Sequence, residues 1–123
     1  MASLIVTTGR KTGKYYPLGQ RTNVIGRDEG LLIQIVNEFV SRKHVQVRYK
    51  EETELYYATD LQSRHGTFVN GNRIYEEVPL AESDLLDIGG VTLMFTRQDF
   101  VNRESALAHF REVGERARHT VGD

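Results

Sequence analysis

The chain has 123 residues, 39% of them hydrophobic and 27% charged, with a formal net charge of −1. That length carries one domain with one modest core. The composition reads as globular rather than disordered, and the net charge argues against broad nucleic-acid binding, where a basic surface supplies most of the affinity, while leaving room for a local basic patch. Cysteine is absent, which excludes disulfides and thiolate metal sites. No run approaches the ~20 apolar residues of a membrane span, and the apolar start of the chain is too short for a signal peptide. A cytoplasmic location without membrane contact is the expectation.

Most of the chain reads as short strands broken by turn residues. Residues 4–8 are β-branched and strand-like. Residues 9–13 form a polar turn bounded by glycines, and residues 14–18 return from it. Residues 22–26 follow another turn. Residues 31–36 are a short apolar run whose length and β-branching favour a strand over a helix. Residues 44–49 alternate, with Val45, Val47 and Tyr49 on one face, and pair with residues 54–59 across an acidic turn. Asn70-Gly71 is a two-residue hairpin signal, because both central positions of a type I′ turn need positive φ. Residues 85–88 and 91–95 close the series around Gly89-Gly90. About eleven short strands at this spacing predict an all-β sandwich.

The composition then changes. Residues 103–119 carry Ala, Glu, Arg and Leu without Pro, with Asn102 as a candidate cap. Ala106, Phe110, Val113 and Ala117 would line one stripe, interrupted in quality by Gly114, and would dock on the sandwich or on a partner. The predicted organisation is a sandwich domain over residues 1–97, a helical extension over 98–119 and a frayed tail over 120–123.

Three pieces of the chain bear on chemistry: Gly26-Arg27, Ser41-Arg42-Lys43-His44, and the run from Ser63-Arg64-His65-Gly66 to Asn70-Gly71. Each falls between strand runs. Together they offer three arginines, two serine hydroxyls and several loop N–H groups. A phosphorylated threonine carries about −1.5 to −2 charges and three acceptor oxygens. Arginine's planar fork suits that dianion, and a rigid sandwich that presents loops is a common way to hold it.

At these residues the sequence resembles the forkhead-associated (FHA) domain, a reader of phosphothreonine peptides. The family pattern is Gly-Arg, then Ser-x-x-His, then Ser/Thr-x-Asn-Gly leading to a second Asn-Gly turn. The likeness covers roughly residues 3–97 and keeps the order and spacing of all the pieces. The resemblance implies an FHA-type sandwich of about eleven strands whose loops at one end bind the peptide in Ser/Thr-kinase signalling, without cofactor, metal or catalysis. By position it implies that Arg27, Ser41, Arg42, Arg64 and His65 contact the phosphopeptide. It gives Gly26, His44, Gly66, Asn70 and Gly71 to structural support of the loops. One position departs: His65 stands where the family usually has Asn, and an imidazole cannot present a donor and an acceptor side by side as an amide does.

Other readings compete. Residues 9–14, Gly-Arg-Lys-Thr-Gly-Lys, look like a nucleotide P-loop, but the glycines are too close together and Tyr15 replaces the Ser/Thr. Ser41, His44 and Asp60 have the residue types of a hydrolase triad, but Ser41 lacks the glycine context of a nucleophile elbow. The four histidines show no metal-ligand spacing. The serious rival is an FHA-fold scaffold or dimerisation domain that no longer requires phosphate, with self-association through the C-terminal helix.

Overall fold

The computed structural model describes residues 2–98 and 103–121, with helix side chains described for residues 104–113. Eleven strands in two sheets are followed by one helix. The six-stranded sheet joins β1 (Ser3–Val6), β2 (Tyr15–Pro17), β7 (Thr67–Val69), β8 (Asn72–Arg73), β10 (Leu85–Ile88) and β11 (Val91–Thr96) in the order β2-β1-β11-β10-β7-β8. The five-stranded sheet joins β3 (Thr22–Gly26), β4 (Ile33–Gln34), β5 (Val45–Lys50), β6 (Leu55–Asp60) and β9 (Val78–Pro79) in the order β4-β3-β5-β6-β9. All pairs are antiparallel except β3 and β4.

The core between the sheets follows from alternation. Val45 and Val47 of β5, Tyr56 and Ala58 of β6, and Leu93 and Phe95 of β11 turn inward and are buried. Their neighbours Arg48 and Tyr57 face outward. The β5–β6 ladder sets Val47 opposite Ala58 and Tyr49 opposite Tyr56, so the small residue leaves room for the aromatic pair that packs toward Phe95.

Two strands are buried on both faces. In β1, Leu4 and Val6 enter the core, while Ile5 points the other way and is also fully buried. The cover is helix α1 (Arg103–Val121), whose Ala106, Phe110 and Val113 pack with Ile5, Tyr15 and Met94. The predicted stripe thus docks on the chain's own sandwich. Asn102 lies outside the described residues, and so does the side chain of Ala117. The helix carries through Thr120 and Val121. Two-sided burial also explains why residues 4–6 and 93–95 are continuously apolar rather than alternating.

The run at residues 31–36 behaves differently from the prediction. Only Ile33–Gln34 forms a strand. It pairs with β3 through Ile25–Ile33 and Gly26–Gln34, and Ile35 N–H then donates to Gly26 O at 2.7 Å. Ile33 and Ile35 reach the core, whereas Leu32 and Val36 are 84% and 71% exposed. A two-residue parallel pairing has too few ladder bonds to extend a strand over the whole apolar run. The hairpin at Asn70-Gly71 forms as expected, with φ of 51° and 84°.

Candidate functional site

Strand β3 delivers Arg27 to one end of the sandwich. Beyond the β3–β5 ladder, Arg27 N–H donates to Ser41 O at 2.9 Å, and His44 N–H to Ile25 O at 2.9 Å. The two chains approach so closely that a Cβ built on Gly26 would lie 2.1 Å from the Arg42 carbonyl oxygen. Any side chain at position 26 would push the 40–42 turn away from Arg27. Arg27 itself is exposed; its Nε donates to Val40 O at 3.0 Å, and Gln34 Nε2 donates to the Arg27 carbonyl at 3.1 Å. Its Nη groups have no hydrogen-bond partner among the described residues. Asp28, a candidate ion partner, instead accepts from Gly30 N–H.

His44 ties the loops from below. It is fully buried, and its Nδ1 accepts from Ser41 N–H at 3.0 Å. A backbone N–H only donates, so Nδ1 carries no proton and Nε2 does. Nε2 therefore donates to Gly66 O at 2.8 Å. One neutral tautomer thus bridges the loop before β5 and the loop before β7. The hydroxyl of Ser41 adds a second bridge, accepting from Arg64 N–H at 3.0 Å. With that lone pair engaged, the Ser41 O–H remains available to donate outward.

The loop between β6 and β7 is knotted around Asp60. Its Oδ1 accepts from Ser63 Oγ at 2.5 Å and from Thr67 Oγ1 at 2.7 Å, and its Oδ2 accepts from Ser63 N–H at 3.1 Å. Ser63 Oγ in turn accepts from Gly66 N–H at 2.9 Å. Burial pushes the Asp60 carboxyl up, but the hydrogen bonds from Ser63 and Thr67 outweigh it and hold its pKa below the ordinary carboxylate value.

The structure therefore brings Gly26, Arg27, Ser41, His44, Arg64 and Gly66 into one connected set of loops. Arg42 and Arg64 extend into solvent, with no side-chain partner among the described residues. His65 is exposed, and its ring makes a T-shaped contact with Phe39 at 5.7 Å between centroids. Asn70 and Gly71 stand apart, at the far end of β7. Asn70 donates to Asp84 Oδ1 and accepts from Leu85 N–H, pinning the hairpin to β10. Among the described residues no acidic side chain forms an ion pair at the loop end; the ion pairs join Glu77 to Arg48 and Lys50, and Glu82 to His109.

Sequence reasoning missed Phe39, the Val40 carbonyl and the Asp60–Ser63–Thr67 knot. The last had a readable signal: Asp60 and Ser63 stand three residues apart at the end of a strand, a spacing at which a carboxylate commonly accepts from a following N–H. Phe39 had none, because its role depends on a loop meeting His65 from elsewhere in the chain.

The hydrolase geometry does not assemble. Both His44 nitrogens are engaged, one by the Ser41 backbone and the other by Gly66 O, and Asp60 holds Ser63 and Thr67. Among the described residues no three His, Asp or Glu side chains converge to hold a metal ion, and no helix is long and apolar enough to cross a membrane. What the arrangement offers is one outward hydroxyl and three guanidinium groups around a rigid floor, a donor set for a small, highly charged anion.

Comparison with known proteins identifies the fold. A family model for the FHA domain matches residues 23–89. FhaA of Mycobacterium tuberculosis, an FHA domain-containing protein, is 33% identical over 78 residues, or 63% of this chain, and the match spans only 14% of its length. Among solved structures, one from a structural and functional analysis of phosphothreonine-dependent FHA domain interactions matches with a TM-score of 0.71 at 25% identity, over 80% of this chain and 98% of that one. The FhaA FHA domain complexed with the intracellular domain of Rv3910 matches with a TM-score of 0.69 at 26% identity, over 77% and 99% respectively.

Proposed function

The chain belongs to the FHA domain family, and from that premise we propose that it is a phosphothreonine-dependent protein-interaction module in Ser/Thr-kinase signalling. FHA domains are interaction modules rather than enzymes. The observation that carries the reading is the loop end itself. Arg27 is braced through Nε on Val40 O with its outer nitrogens free, and Ser41 Oγ is held by Arg64 N–H with its proton free to donate.

In this reading Arg27, Ser41 and Arg64 take the phosphate oxygens, each by a charge-assisted hydrogen bond. Arg42 lies one residue past Ser41 and steers the dianion or meets the peptide backbone. His65 faces the peptide main chain beside the phosphothreonine. His44, Gly26 and Gly66 act from beneath by keeping the three loops in register. Because the floor is already hydrogen-bonded, the site is preorganised, and binding orders mainly the peptide. The Ser41 hydroxyl and the braced arginine need a dianion to answer them, so phosphate dependence should be strong.

The test is fluorescence-anisotropy binding to a degenerate phosphothreonine peptide library, with unphosphorylated and phosphoserine versions alongside. Saturable binding to phosphothreonine alone supports the reading. Equal binding to the unphosphorylated library would reject it and favour a scaffold that works without phosphate.

A further inference from the structure

We infer that the groove between the β1–β2 turn and the segment after β4 receives a second part of the same phosphorylated partner: an acidic stretch carrying one large apolar side chain. This inference rests on the phosphothreonine reading above and extends it to a surface which that reading leaves unused.

The groove encloses about 460 Å³, inside the range of ~300–1,000 Å³ usual for ligand sites. Its apolar floor is formed by Val6, Tyr16, Ile35 and Val91, and Val36 stands along one wall. Val36 is 71% exposed. Arg10 and Lys11 from the β1–β2 turn, both exposed, form a rim of it. No Asp or Glu lines the groove, and neither Arg10 nor Lys11 forms an ion pair among the described residues. In a chain whose net charge is −1, this rim is purely cationic.

Position decides the occupant. Gln34 lines the groove, and its Nε2 donates to the carbonyl of Arg27. Asn37 also lines it, and its Oδ1 accepts from Phe39 N–H at 2.8 Å. The β10–β11 turn backs the same segment, since a Cβ on Gly89 would lie 2.6 Å from the Phe39 carbonyl; two residues later Val91 enters the groove floor. The groove and the phosphate loops are thus two sides of one segment, residues 34–40, at one end of the sandwich. Each further residue lengthens an extended peptide by about 3.3 Å, so a ligand held at Arg27 and continuing past Gln34 runs into the groove. The apolar floor rewards a buried side chain in proportion to its area. The unpaired rim favours Asp, Glu or a further phosphate and disfavours Lys and Arg.

The experiment uses the full chain and two synthetic peptides. One is a short core peptide centred on phosphothreonine; the other is that peptide lengthened at either end by a run of Asp and Glu around a Leu. Both are titrated into the wild type, the double variant Arg10→Glu/Lys11→Glu, and Val36→Asp. All three positions lie outside the phosphate loops' donor set, and thermal melting checks that each variant folds. The expected result is that lengthening tightens wild-type binding about tenfold. The gain should fall below about twofold in both variants, while core-peptide affinity changes far less, because none of the three side chains belongs to the phosphate donor set. A core peptide that binds while the lengthened one gains nothing, or a gain that survives in the variants, overturns the groove assignment alone. A concentration-dependent dimer by sedimentation, lost in Arg10→Glu/Lys11→Glu with no peptide gain, would overturn it in favour of a second copy. No binding of the core peptide by the wild type would reject the phosphothreonine reading itself and take the groove assignment with it.

Discussion

The floor and the rim of the loop end differ in almost every physical respect. In the floor, His44, Asp60, Ser63, Thr67 and the backbone of Ser41 and Gly66 satisfy one another, and no buried side-chain polar atom is left without a partner among the described residues. On the rim, Arg27, Arg42 and Arg64 hold positive charge in solvent with no ion pair among the described residues. The floor contributes fold and geometry, while the rim contributes recognition. Substitutions should therefore divide into those that damage stability first and those that damage binding alone.

The largest effect should come from His44→Ala. It leaves the Ser41 N–H and the Gly66 carbonyl without partners in a buried site and opens a void, at a cost of about 3 kcal/mol. Urea unfolding measures this, and a change within experimental error would break the distinction between floor and rim. Next comes Arg27→Ala, which should weaken phosphopeptide binding about 30-fold, or about 2 kcal/mol, with little change in melting temperature. Undiminished binding in the folded variant would remove Arg27 from the site.

Asp60 sharpens the comparison through pH. Its folded pKa lies below the ordinary value, so it contributes stability that is fully present above about 3.9, the unfolded value. That contribution is lost as pH falls from there through the folded pKa. Urea midpoints should drop over this acid range in the wild type and drop less in Asp60→Asn. Parallel curves would mean that the knot does not couple to folding. The smallest effect belongs to His65→Asn, at an exposed position: stability unchanged and binding equal or modestly tighter. A large loss would show that the imidazole itself grips the ligand.

Much of this was legible in the sequence where one local signal suffices. Alternation in residues 45–49 and 55–59, positive-φ chemistry at Asn70-Gly71, and the ordered motif pieces each state their structure within a few residues. The failures share a cause, which is dependence on a distant partner. The apolar run at 31–36 looks like a strand, yet only the brief parallel contact with β3 decides which of its residues pair, and Leu32 and Val36 are left outside. The edge strands Asn72–Arg73 and Val78–Pro79 are too short for any period to emerge. The Asp60 knot is the exception: its partners Ser63, Gly66 and Thr67 all lie within one loop, and the Asp60–Ser63 spacing was its local signal. Phe39 against His65 is a meeting of two loops that no local pattern encodes.

The two-sided burial of β1 has a consequence for how the molecule opens. Its backbone is laddered to β2 on one edge and to β11 on the other, with the core on one face and helix α1 on the other. No partial opening exposes the amides of Leu4–Val6 without also detaching a neighbouring strand. In deuterium they should be among the last to exchange, at the rate of global unfolding, while the amides of exposed Glu29 and Leu32 exchange early. The stretch nearest the start of the chain would then be the latch of the whole domain.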